Sequence, residues 1–79
     1  MNLYKDENTE SYYGYDFGID GWKLIQYPMN IDGSMNNTPI VVDFEDLAGE
    51  TVSINGQEID LTSYLLGIEE KLKREVKND

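Results

Sequence analysis

The chain contains no cysteine and no histidine, and these absences remove most of the common routes to catalysis and metal binding. Without cysteine there is no disulfide, and without both residues the usual structural zinc sites cannot form. Most nucleophile–base pairs in enzymes also need one of these two side chains. The loop at residues 30–36 alternates oxygen ligands, but it lacks the glycine position and the final glutamate of a calcium loop. We therefore predict a protein that is not an enzyme and that binds no metal or other cofactor.

Basic residues are scarce as well. Only 6 Lys and Arg stand against 16 Asp and Glu, so the net charge is −10. Such a charge repels phosphate, which disfavours direct binding to nucleic acid. Apolar runs are too short to cross a membrane, and no basic segment followed by an apolar one suggests a secretion signal. We expect a cytoplasmic protein that binds neither nucleic acid nor membrane.

The composition nevertheless predicts a folded chain. Its 79 residues suffice for one domain. A hydrophobic content of 39%, with nine aromatic residues, is too high for a disordered acidic segment. Residues 1–10 are the exception, because they are polar and show no period, and we expect them to form a mobile leader.

Three segments predict strands of an antiparallel sheet. Residues 13–19 alternate large apolar side chains with Gly and Asp, which is typical of a half-buried strand and places Tyr13, Tyr15 and Phe17 in the core. Residues 22–27 carry apolar side chains on both faces of the strand, which indicates a central strand. The alternation resumes over residues 40–44 and predicts a third strand.

The C-terminal half predicts a hairpin and then a helix. Asn55-Gly56 favours a type I′ turn, and the resulting register pairs residues 51–54 with residues 57–60. The apolar period changes to 3.6 from about residue 62 to residue 77. Within that helix Gly67 suggests a close approach to the sheet. The predicted fold class is α+β, with an antiparallel sheet of four to five strands and one C-terminal helix packed on one face.

The acidic residues are concentrated in one part of the chain. Between Leu24 and Glu70 there are nine acids and no Lys or Arg, and residues 1–70 carry a net charge of −12. A domain of this size is about 30 Å across, and a DNA duplex of that length carries roughly 18 phosphate charges. A patch holding most of the −12 would be more than half as dense as the duplex. Scattered acids that serve only solubility would produce the same composition.

The predicted partner-binding residues are eight acids at turns and outward strand positions, together with one tyrosine. An exposed tyrosine beside a carboxylate is a common anchor at interfaces. The set comprises Tyr12, Asp16, Asp20, Asp43, Glu45, Asp46, Glu50, Glu58 and Asp60. Their expected partner is a protein with a basic surface, such as a nuclease, a CRISPR effector or another nucleic-acid-binding protein.

The combination of small size, strong acidity, absent His and Cys, and a sheet with one helix resembles small phage-encoded inhibitors of host defence. Anti-CRISPR proteins and DNA-mimic inhibitors of nucleases share this profile. The likeness is one of kind, so no functional residues are carried over. It implies an inhibitor that blocks the basic nucleic-acid-binding surface of a nuclease or CRISPR effector, in the host cytoplasm if the chain is phage-encoded. The alternative is a small structural or assembly protein, homo-oligomeric, whose acidity serves only solubility.

Overall fold

The fold is known from a computed structural model that describes residues 3–18 and 21–77. Within these residues it contains a four-stranded antiparallel sheet, a separate two-stranded sheet and one α-helix, which confirms the predicted α+β class. In chain order the elements are β1 (Tyr4–Asp6), β2 (Ser11–Gly18), β3 (Gly21–Pro28), β4 (Ile40–Val41), a 3-10 helix (Phe44–Leu47), β5 (Thr51–Ile54), β6 (Gln57–Asp60) and α1 (Leu61–Lys77).

The larger sheet has the strand order β1-β2-β3-β4, and α1 packs on one of its faces. The pairing of β2 with β3 runs from Ser11 opposite Pro28 to Gly18 opposite Gly21. Side chains alternate across the sheet. Tyr13 on β2 and Leu24 on β3 lie on the face that packs against the helix, and their exposed fractions are 0% and 1%. We call the other face of this sheet the outer face.

The β5–β6 hairpin has the predicted register. Val52 lies opposite Ile59, and the turn residues Asn55 and Gly56 have φ angles of 52° and 82°, as a type I′ turn requires. This hairpin forms its own sheet, so it does not extend the larger one. It leads directly into α1.

Helix α1 packs Leu65, Ile68 and Leu72 against the buried face of the sheet, as the 3.6-residue period predicts. A Cβ added at Gly67 would meet no atom within 4 Å. The predicted close approach of Gly67 to the sheet is therefore wrong. This glycine faces open space on the exposed side of the helix.

The predicted third strand is shorter than its alternation suggests. Only Ile40 and Val41 pair with β3, and the amide of Val42 still donates to the carbonyl of Leu24 at 2.9 Å. The Asp43 carboxylate then accepts the amide of Glu45 at 3.0 Å and starts the 3-10 helix. Such a local cap offers the backbone an alternative to strand pairing, and here the cap prevails.

Phe17 does not lie in the core, where the alternation predicts it, because its exposed fraction is 67%. The predicted face of the strand is correct, because Phe17 shares a face with Tyr13. The helix, however, covers only part of that face. Near its C-terminal end, the Lys73 ammonium lies 5.9 Å from the ring centre of Tyr15, and Phe17 is two residues farther along β2.

The segment expected to be a mobile leader contains β1, which pairs with β2 from Tyr4 opposite Tyr13 to Asp6 opposite Ser11. Asp6 is only 3% exposed. Its carboxylate accepts the amide of Thr9 at 3.0 Å and the hydroxyl of Tyr64 from α1. Burial and the bond to Asp6 raise the pKa of Tyr64 to about 12, so this hydroxyl is a donor at neutral pH.

Candidate functional site

Six of the predicted partner-binding acids lie near one another around the start of α1. The pairing of Thr51 with Asp60 brings the end of β6 beside the segment that follows the 3-10 helix. The amide of Leu61 donates to the carbonyl of Glu50 at 2.9 Å, and the amide of Glu50 donates to Leu47 at 3.0 Å. All six side chains are exposed. We call this set the acidic end, and it consists of Asp43, Glu45, Asp46, Glu50, Glu58 and Asp60.

Three of these acids also stabilise local structure. Asp43 caps the 3-10 helix, and Asp60 caps α1 by accepting the amide and the hydroxyl of Ser63, both at 3.0 Å. Glu58 accepts the hydroxyl of Thr51 at 2.6 Å. The partial positive charge of a helix N-terminus also favours carboxylates at this end. Local structure thus explains part of the acidity.

The other three acids have no comparable bonds. Among the described residues, the side chains of Glu45, Asp46 and Glu50 take part in no hydrogen bond and no salt bridge. Their carboxylates are therefore available to a cationic group of another molecule.

The bases on α1 are too distant to neutralise the acidic end. Lys71 lies ten residues after Leu61, which corresponds to about 15 Å along the helix axis. Charges are largely screened beyond about 8 Å at physiological salt. Lys73 is already paired with Glu69 and Glu70, at 3.7 Å each. The acidic end therefore presents its own negative potential.

The remaining three predicted residues are not part of the acidic end. Tyr12 lies on the outer face, half-buried, and its hydroxyl donates to the carbonyl of Gly33 at 2.6 Å. Asp16 is exposed on the same face, opposite Lys23, and accepts the amide of Phe17 at 2.9 Å. Asp20 lies outside the described residues. The predicted set is thus divided between two surfaces.

A crevice of about 360 Å³ opens beside the acidic end, between β4 and the 3-10 helix on one side and the first turns of α1 on the other. Its deepest residues are Tyr13 and Leu65, which are buried. Ile40, Asp43 and Asp46 are exposed and lie at its opening. No local sequence pattern predicts the crevice, because its walls come from segments that are distant in the chain.

An exposed aromatic cluster occupies the far end of the β2–β3 pair. The rings of Tyr15 and Trp22 stack at a centroid distance of 5.2 Å and an interplanar angle of 18°. Phe17 contacts Trp22 edge-on at 5.6 Å. Trp22 is 46% exposed. We call Tyr15, Phe17 and Trp22 the aromatic tip. Tyr15 is half-buried and packs against the core, as predicted, whereas the exposure of Phe17 and its contact with Trp22 were not predicted.

Comparison of the chain with protein-family models, with curated proteins and with solved structures finds no match. In the part of the chain that the structure describes, no helix is long and apolar enough to cross a membrane. In that same part, no group of three acidic side chains is arranged to hold a metal ion. Function is therefore inferred from the surface alone.

Proposed function

We propose that the protein is a non-enzymatic inhibitor that binds the basic nucleic-acid-binding surface of another protein, a nuclease or a CRISPR effector, through its acidic end. The supporting observation is the gathering of six exposed carboxylates around the start of α1. A surface of one sign accelerates association with a surface of the opposite sign and competes with other ligands of that sign. Nucleic acid is the ligand that such a partner would otherwise hold.

The charge density supports competition, although it is lower than that of DNA. The two shorter dimensions of the molecule are 28 and 23 Å. A duplex of 28 Å carries about 16 phosphate charges, so six carboxylates over that span give roughly a third of its density. Charge of this density steers a basic partner, while affinity needs additional contacts. The crevice and the free carboxylates of Glu45, Asp46 and Glu50 are suited to provide them.

The test is inhibition of purified nucleases and CRISPR effectors by the protein, with and without bound nucleic acid, across a salt series. We expect inhibition that is competitive with nucleic acid and that weakens steeply as salt rises. Neutralising Glu45, Asp46 and Glu50 as Gln, Asn and Gln should raise the inhibition constant about tenfold or more.

The matched control removes three exposed acids elsewhere, as Glu10→Gln, Glu70→Gln and Glu75→Gln. The net charge of the two triple variants is the same, so a local site predicts a much smaller effect of the control. Equal effects would assign inhibition to the bulk charge. Simultaneous binding of the effector to the protein and to nucleic acid, or an affinity that salt does not change, would refute the proposal.

The aromatic tip favours a second candidate, a structural or assembly protein that forms homo-oligomers. Exposed Trp and Phe side chains are enriched at the centres of protein interfaces. Light scattering over a concentration series separates the two candidates. A stable oligomer that Trp22→Ala dissociates supports assembly, and a monomer at high concentration removes this candidate.

A further inference from the structure

The crevice beside the acidic end is closed on its inner side by fixed groups. Tyr13 forms part of the floor, and its hydroxyl is bonded to the hydroxyl of Thr9 at 2.8 Å. The Val42 amide fixes one wall to β3 through the carbonyl of Leu24. The opposite wall is the start of α1, where Leu61 is tied to Glu50. A ligand would therefore enter a pre-formed space.

The lining of the crevice combines aliphatic, polar and acidic residues. Leu47, Leu61 and Leu65 line it with aliphatic surface, Thr9 and Gln26 add polar groups, and the lining residues Asp43 and Asp46 are exposed. A volume of about 360 Å³ is at the lower end of the range for small-ligand sites. The arrangement matches a slender ligand with an apolar stem and a cationic group.

We infer that the crevice receives an arginine side chain of the basic partner. This assignment rests on the proposed function and specifies one contact between the acidic end and that partner. The methylene groups of arginine bury against the leucines, as long basic side chains do against apolar surface. The guanidinium then lies between Asp43 and Asp46. Its planar set of five donors can bond two carboxylates at once, which the ammonium of lysine does less well.

The tetra-arginine peptide, blocked at both termini, is the first probe, and the tetra-lysine peptide of equal charge is the comparison. Binding is followed by amide chemical shifts at low salt. We expect the largest shifts at Val42, Leu47 and Leu65, and several-fold tighter binding of tetra-arginine than of tetra-lysine. Equal binding of the two peptides overturns the arginine assignment.

Two double variants with the same change in charge separate the crevice from the rest of the acidic end. Asp43→Asn with Asp46→Asn removes the two carboxylates at the opening, and asparagine preserves the cap at residue 43. Glu45→Gln with Glu58→Gln removes two acids outside the crevice. We expect the first pair to weaken tetra-arginine binding about tenfold more than the second.

A second pair of variants blocks the crevice without removing an acid. Ile40→Arg places a guanidinium of the chain itself at the opening and should abolish the shifts caused by tetra-arginine. Ile31→Arg adds the same charge on the fully exposed loop and should leave those shifts in place.

The outcomes distinguish this inference from the proposed function. Equal losses in the two double variants overturn the crevice assignment and leave the acidic end as a diffuse binding surface. Absence of salt-dependent binding by wild type overturns the proposed function as well. Self-association through the crevice, detected as an oligomer that Ile40→Arg dissociates, assigns the crevice to a second copy and overturns the inference.

Discussion

At the scale of single residues, the acidic end combines carboxylates that hold the backbone with carboxylates that do not. Asp43 and Asp60 cap helices, and Glu58 bonds to Thr51 across the hairpin. Local structure would select these three even in a protein with no partner. The side chains of Glu45 and Asp46 have no such bonds among the described residues. Their substitution therefore tests binding without removing a hydrogen bond that holds the backbone.

Gly67 provides a prediction at the same scale. It lies inside α1, its φ is not positive, and an added Cβ would meet nothing within 4 Å. We expect Gly67→Ala to raise the free energy of unfolding by about 0.5–1 kcal/mol, because alanine restricts the unfolded chain and favours the helix. Urea denaturation measures the change.

Gly56 is the matched control for this substitution. It also has open space around it, but its φ of 82° is one that alanine adopts only with strain. Gly56→Ala should therefore lower the free energy of unfolding. A destabilised Gly67→Ala variant would contradict the placement of Gly67 on the open side of α1.

At the scale of elements, β1 is held to α1 by the bond from the Tyr64 hydroxyl to the buried carboxylate of Asp6. Burial and Asp6 raise the pKa of Tyr64 from 10.0 to about 12, so folding favours the protonated hydroxyl. This stabilisation is complete below pH 10 and is lost as the pH rises through about 12.

We therefore expect the free energy of unfolding to fall between pH 10 and about 12, and to fall less steeply in Tyr64→Phe, which has no group to titrate. Urea denaturation at a series of alkaline pH values gives both slopes. Tyr27→Phe is the control, because it removes a half-buried tyrosine that lies on the outer face. Equal slopes for wild type and Tyr64→Phe would contradict the assignment.

The elements that the sequence predicts best are those with a strong local cause. Asn55-Gly56 fixes both the turn and the register of the hairpin, and the apolar stripe of α1 identifies its buried side. Alternation predicts only which residues share a face of a strand. Whether Phe17 is buried depends on how far α1 extends over that face, which no local pattern specifies.

The candidate site was predictable in part for the same reason. Turn acids such as Glu50 and Asp60 follow from composition and position, but their proximity depends on how the hairpin packs against the 3-10 helix. The burial of Asp6, which lies outside that site, was not predicted either. The group that compensates it is the hydroxyl of Tyr64, which is 58 residues away in the chain. The crevice likewise arises only when four distant segments meet.

At the scale of the whole molecule, the charge is divided between two regions. The acidic end lies at the start of α1, and Lys71, Lys73 and Arg74 lie in its later turns. Six neighbouring carboxylates repel one another, so a surface kept for binding a basic partner costs stability in the free protein. This cost can be measured without knowing the partner.

We expect the free energy of unfolding to rise as NaCl increases from about 0.01 M to about 1 M, because the Debye length falls from about 30 Å to about 3 Å. Glu45→Gln with Glu50→Gln should be more stable than wild type at low salt, and the two proteins should converge at high salt. Glu69→Gln is the opposing control, because it removes one of the two carboxylates paired with Lys73 and should not stabilise the protein. If the double variant is no more stable than wild type at low salt, the carboxylates of the acidic end do not repel one another appreciably. The steering role proposed for them would then lose its electrostatic basis.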